Sequence, residues 1–171
     1  GGAGFIGSNF VQYALDHSDD RLVIVDKLTY AGSLLNIEGP IASPRVTFVQ
    51  ADIADAAAIA EIFATYRPRR VVNLAAETHV DRSIDGPAPF VQTNIVGTLT
   101  LLQEAPLHWQ KLNAAARDKF CFVHVSTDEV FGPSIQQNCS LKQAFTLQIR
   151  PTPRAKLRQT TWPAPSAAFT N

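Results

Sequence analysis

Two segments decide the fold: Gly1-Gly2-Ala3-Gly4-Phe5-Ile6-Gly7-Ser8-Asn9 and, a little further on, Leu22-Val23-Ile24-Val25-Asp26. Gly1, Gly4 and Gly7 recur every third residue and lead straight into Phe10, Val11, Ala14 and Leu15. That apolar spacing predicts a helix over 8–15. A glycine loop opening a helix allows a tight turn, close backbone approach to a pyrophosphate, and close packing of helix on strand. The helix start then offers free N–H groups and the positive end of its dipole to phosphate. Glycines also gather in ordinary turns, so the loop alone decides little. Asp26 adds the second half of the pattern. It ends the next predicted strand, about 20 residues on, where a carboxylate accepts ribose hydroxyls and repels a 2′-phosphate. The pair points to NAD rather than NADP.

Working outward, Val46 to Val49 reads as a second strand and Ala54 to Tyr66 as a helix stopped by Pro68. Val71 to Ala75 is a third strand, followed by a polar loop from Glu77 to Pro87. A helix is predicted from Pro89 to Glu104, with proline in its first turn. Phe120 to Val125 is a fourth strand. Strands alternating with helices predict an α/β fold, a Rossmann-type parallel sheet with helices on both faces. Ligands bind such sheets at the carboxyl ends of the strands, and each polar cluster of the chain falls at such an end. A glycine loop of this kind normally follows a strand, and the chain contains no methionine. The expectation is therefore an incomplete sheet whose first strand is missing.

Composition narrows the classes. The 171 residues suit one core, and 15 basic residues balance 15 acidic ones, so nothing steers the chain toward nucleic acid or an anionic membrane. Cys121 and Cys139 have no framework spacing, which argues against a disulfide scaffold or a metal site. No apolar run is long enough to span a bilayer. A cytoplasmic protein is the expectation.

Thr127, Asp128 and Glu129 follow the fourth strand and should lie where a reacting substrate sits beside the cofactor ring. Two adjacent carboxyls can divide acid and base work if their surroundings separate their pKa values. Adjacent acids in a surface turn commonly do nothing. His124 reads as a packed strand residue; His79, near Asp81 and Arg82, reads equally well as structural pairing. Arg69 and Arg70 read as solvated.

Several segments together resemble the extended short-chain dehydrogenase/reductase family, and within it the dTDP-glucose 4,6-dehydratases. These are the opening glycine loop, Asp26 to Gly32 (DKLTYAG), Asp52-Ile53, Asn73 to Ile84 (NLAAETHVDRSI), Thr93 to Thr98 and Ser126 to Gly132 (STDEVFG). The glycine loop is generic, whereas STDEVFG and HVDRSI are more specific, because related epimerases usually lack the Asp-Glu pair. The resemblance implies NAD contacts at Gly1, Gly4, Phe5, Ile6, Gly7, Asp26, Lys27, Leu28, Thr29, Asp52, Ile53, Leu74, Ala75, Ala76, Thr78 and Thr93. It implies sugar contacts at Thr78 and Thr127, with Asp128 as general acid and Glu129 as general base. It further implies oxidation of dTDP-glucose at C4, loss of water across C5 and C6, and reduction at C6. The product is a 4-keto-6-deoxy sugar, and the intact enzymes are homodimers. A nucleotide-sugar epimerase or decarboxylase, and a non-catalytic NAD-binding module, are the rival readings.

The resemblance covers residues 1–132 and then stops. The family's Tyr-x-x-x-Lys pair is absent: Tyr66 is the last tyrosine, and only Lys142 and Lys156 follow the Asp-Glu pair. Regrouping bases by one frame lets Cys139 through Gln143 permit Phe-Thr-Glu-Thr. It lets Pro151 through Lys156 permit Tyr-Ser-Ala-Ser-Lys. One position disagrees, since Ala144-Phe145 cannot encode the proline common there. The expected organisation is thus an NAD-binding part over 1–132 and an out-of-frame tail over 133–171 with no native fold. Alone, the chain is expected neither to fold stably nor to turn over substrate.

Overall fold

The computed structural model describes residues 1–79 and 86–127 in full, and the backbone alone of 146–149 and 158–160. Helix α1 (Phe5–His17) leads into strand β1 (Leu22–Asp26). A 3-10 turn (Leu34–Ile37) and the one-turn helix α2 (Glu38–Ile41) lie between β1 and strand β2 (Val46–Gln50). Helix α3 (Ala56–Tyr66) is capped by Asp55, whose side chain accepts from the Ala58 N–H at 3.1 Å. It ends at Arg67 in the left-handed region (φ 45°), just ahead of Pro68. Strand β3 (Arg70–Asn73) follows.

The next helix runs further than its sequence suggests. A turn at Ala88–Phe90 continues through a π-helical stretch, Val91–Gly97, into α4 (Thr98–Lys111). The predicted end at Glu104 is corrected: Pro106 lies inside α4. Proline removes one backbone hydrogen bond and strains the preceding turn. Burial on one face offsets that cost, because Leu101, Ala105 and His108 all face the core. His108 also bonds the Pro68 carbonyl through Nε2 at 2.9 Å and packs its ring against Phe63 and Phe120. A short helix absent from the sequence reading, α5 (Ala114–Lys119), is capped by Asn113 and precedes strand β4 (Cys121–Val125).

β1 pairs with β2 and β3 with β4, both in parallel. The strands form two hydrogen-bonded groups, β1-β2 and β3-β4-β5-β6, in keeping with the incomplete parallel sheet expected. Strands β5 (Thr146–Ile149) and β6 (Arg158–Thr160) add antiparallel to the free side of β4. An open strand edge presents unpaired N–H and C=O groups that another segment can satisfy. Within 133–171, where no native fold is expected, these two strands are all that is described. Helix α1 and the 3-10 turn cover β1 and β2 around Ala3, Val11, Ile24 and Ile37. Helices α3 and α4 cover β3 and β4 around Ile59, Phe63, Leu101, Ala105, Phe120 and Phe122. Among the described residues no helix is long and apolar enough to cross a membrane.

Candidate functional site

The glycine loop and Asp26 meet as predicted. Asp26 is buried at the end of β1, and each carboxylate oxygen accepts a backbone N–H: Oδ2 from Ala3 at 3.0 Å, Oδ1 from Leu28 at 2.8 Å. Each oxygen keeps a second lone pair for a ligand hydroxyl. Leu28 takes a positive φ of 58° to make its bond, a conformation costly for a side chain of that kind. Gly7 is required by close approach. A Cβ there would stand 2.1 Å from the Gly1 carbonyl oxygen and 2.7 Å from Gly2 Cα. Gly1 touches the other half of the molecule, where a Cβ would stand 2.4 Å from the Ala75 nitrogen. Helix α1 starts at Gly4 with no side-chain cap, leaving its first-turn N–H groups open to an anion.

Between the two halves runs a shallow groove of about 90 Å³, partly open to solvent. Of the predicted cofactor residues, Gly1, Gly4, Asp26, Lys27, Thr29, Asp52, Ile53, Leu74, Ala75, Ala76 and Thr93 line it. Phe5, Ile6, Gly7, Leu28 and Thr78 do not. Phe5 and Ile6 point outward from the first turn of α1 and are largely exposed, and Leu28 packs on the core beneath β1. Ala31, Gly32, Ala51 and Glu77 also line the groove and were not singled out. Each lies within or beside a segment quoted above, so the signal was adjacency to a strand end.

Lys27 reaches across the groove. Its Nζ donates to Thr93 Oγ1 at 2.9 Å and lies 3.5 Å from Asp52 Oδ2, joining the end of β1 to the π-helical stretch. At the opposite end of the strands, Arg69 and Arg70, read as solvated, are more than half exposed yet both pair with Asp20.

Asn73, buried at the end of β3, fixes the wall. The Ala75 N–H can only donate, so the Asn73 oxygen must face it, at 3.1 Å. The Asn73 amide nitrogen then donates to His124 Nδ1 at 3.2 Å, which makes His124 the neutral Nε2–H tautomer. Burial lowers the His124 pKa below its usual value, in the same sense. His108 is lowered too, first by burial, against the raising effect of its Pro68 bond. His79 is exposed and tilts its ring over Tyr30 at 5.3 Å. Thr127 is exposed just past β4, beside the carboxyl end of β3. Asp128 and Glu129, the predicted acid and base, lie outside the described residues, as do Asp81 and Arg82.

The family model described as GDP-mannose 4,6 dehydratase matches residues 1–152. The chain belongs to this family. A dTDP-glucose 4,6-dehydratase of Shigella flexneri is 52% identical over 132 residues, 77% of this chain and 37% of that protein. That of Neisseria meningitidis is 50% identical over the same extent. Among solved structures, a dTDP-glucose 4,6-dehydratase from Streptomyces venezuelae, determined with NAD bound, superposes with a TM-score of 0.66. It is 43% identical, over 81% of this chain and 41% of that one. A UDP-glucose 4-epimerase from Thermotoga maritima superposes with a TM-score of 0.64 at 29% identity, over 80% of this chain and 40% of that one. The chain therefore spans about two fifths of the length of the family members it matches.

Proposed function

We propose that this chain is the NAD-binding part of a dTDP-glucose 4,6-dehydratase. The observation that carries the reading is Asp26, buried and tied to Ala3 in the glycine loop and to Leu28 in the loop after β1. Its free lone pairs suit the adenosine ribose hydroxyls, and its charge opposes a 2′-phosphate. The pyrophosphate is proposed to lie at the start of α1, over Gly4 and Gly7, where backbone and not side chain meets the ligand. Leu74, Ala75 and Ala76 form an apolar wall for the nicotinamide half. The residues present thus fit the cofactor, which when bound accepts hydride from the sugar and later returns it.

The chain's own part in the chemistry is binding, orientation and proton movement. Thr127 is proposed to contact a sugar hydroxyl. Asp128 is proposed to hold the proton that leaves with the C6 hydroxyl as water, and Glu129 to remove the C5 proton. The 4-keto group formed first acidifies that C5–H. The chain as written lacks the Tyr-x-x-x-Lys pair and is proposed to be inactive in dehydration, with residues 133–171 read out of frame. The whole protein is proposed to be a cytoplasmic homodimer.

Two measurements test this. Calorimetric titration should give saturable binding of NAD and at least tenfold weaker binding of NADP; equal binding, or none, overturns the cofactor reading. Restoring the shifted frame around codons 132–139 in the full-length gene should give dehydration of dTDP-glucose. A non-catalytic NAD-binding module is the second reading, favoured by the absence of any tyrosine after Tyr66. A stop codon in the shifted frame decides for it.

A further inference from the structure

The groove carries a second set of polar contacts that the cofactor reading does not use. Tyr30, in the loop after β1, donates its hydroxyl to Glu77 Oε2 at 3.0 Å. Glu77 belongs to the segment after β3, so this bond spans the two halves of the molecule. Asn94, in the π-helical stretch, holds the Glu77 main chain at two points. Its Oδ1 accepts the Glu77 N–H at 2.8 Å and its Nδ2 donates to the Glu77 carbonyl at 2.9 Å. A side-chain amide bonded this way acts as a one-residue strand partner and fixes where the Glu77 carboxylate starts. His79 tilts against the Tyr30 ring from the same segment. Ala31 and Gly32, next to Tyr30, and Glu77 itself line the groove.

We infer that Asn94 positions Glu77, and that the Tyr30–Glu77 bond forms a strap across the mouth of the dinucleotide groove that slows cofactor release. The inference rests on the cofactor reading above. A ligand lying between β1 and β3 cannot leave through this mouth until the loop after β1 swings from the segment after β3. The bond joins those two pieces. Lys27 to Thr93 ties the halves deeper in the groove, and Asp20 with Arg69 and Arg70 ties them at the far end. Release through the mouth breaks the Tyr30–Glu77 bond and leaves these two ties in place. Tyr30 is half exposed, so the bond exchanges with water and its loss should alter a rate more than it alters the fold.

The test uses the full 171-residue chain with NADH as probe, its fluorescence followed while excess NAD displaces it. Tyr30→Phe removes only the hydroxyl and Glu77→Ala removes the acceptor. Each should speed NADH release about fivefold with association little changed. The double variant should release no faster than either single one. Glu77→Gln keeps a carbonyl acceptor and should restore most of the slow release, which a purely structural role would not predict. Asn94→Ala should speed release as Glu77→Ala does, and add nothing to Tyr30→Phe. Unchanged release in Tyr30→Phe, or additive effects in the double variant, overturns the strap while leaving the cofactor reading intact. Failure of the unsubstituted chain to bind NADH overturns both.

Discussion

Around β1 and β2 the buried set is Ala3, Val11, Ile24 and Ile37, with Phe48 half-buried alongside, and the buried polar residues are Ser8 and Asp26. Around β3 and β4 it includes Phe63, Phe120 and Phe122, with Trp109 packed alongside, and the buried polar groups include Asn73 and His108. The first half brings backbone close to a ligand, and bulk there would get in the way. The second half supplies volume and holds a wall in place. Binding and stability are thus separated along the chain, and substitutions in the two halves should separate them in measurement.

The largest effect is expected in the second half. Phe122→Ala empties a site with 1% exposure between α3, α4 and the strands, and should cost about 3–5 kcal/mol of stability. NAD affinity of the fraction that stays folded should hardly change. A denaturant series read alongside NAD titration checks both parts, and an affinity loss matching the stability loss would break the division. Gly7→Ala should do the reverse. Its new Cβ meets backbone at 2.1 Å, so the loop and the first turn of α1 must separate. Overpacking of this kind costs about 1–3 kcal/mol, and spent on the bound geometry it weakens NAD about ten- to a hundredfold. An unchanged dissociation constant would show that the loop is not where the dinucleotide lies. A smaller effect sharpens the comparison from the stabilising side: Asp55→Ala removes the α3 cap and should lower stability by about 1 kcal/mol with no change in NAD binding.

The first half was the more legible one. Glycine spacing, a β-branched run and a terminal acid are local signals, and the contacts of Asp26 with Ala3 and Leu28 follow from them. The side chains of Phe5, Ile6 and Leu28 turn away from the groove, because sequence adjacency to a motif does not say which way a side chain turns. The second half hid more. Pro106 marks a helix end by local preference, yet Leu101, Ala105 and His108 carry the helix past it through burial that depends on distant Phe63 and Phe120. The ties across the groove, Lys27 to Thr93 and Tyr30 to Glu77, join residues 66 and 47 positions apart, and no local pattern encodes such a pairing. Of the proposed catalytic trio, only Thr127 falls among the described residues.

The smallest expected effect is on pH, and it too belongs to the second half. Burial lowers the pKa of both His108 and His124. Below about 6.5, the usual value for histidine, the unfolded chain takes up protons that the folded chain refuses until its lower pKa is reached. Their contribution is therefore complete above about pH 6.5 and declines as pH falls through and below it. The geometry gives the same sign for His124, since a proton on Nδ1 would face the amide hydrogens of Asn73 and release the bond that orients Ala75. Chemical denaturation at pH 7.5 and 5.5 lies above the ordinary range of carboxylates, at about 4, so the carboxylates contribute little to the change. Stability should be lower at 5.5, and His124→Gln should reduce that difference. The wall held by Asn73 loosens along with it, so NAD affinity should weaken modestly over the same interval in the unsubstituted chain and less in His124→Gln. A pH effect on affinity that survives this substitution unchanged would move its origin to the Asp26 side of the groove.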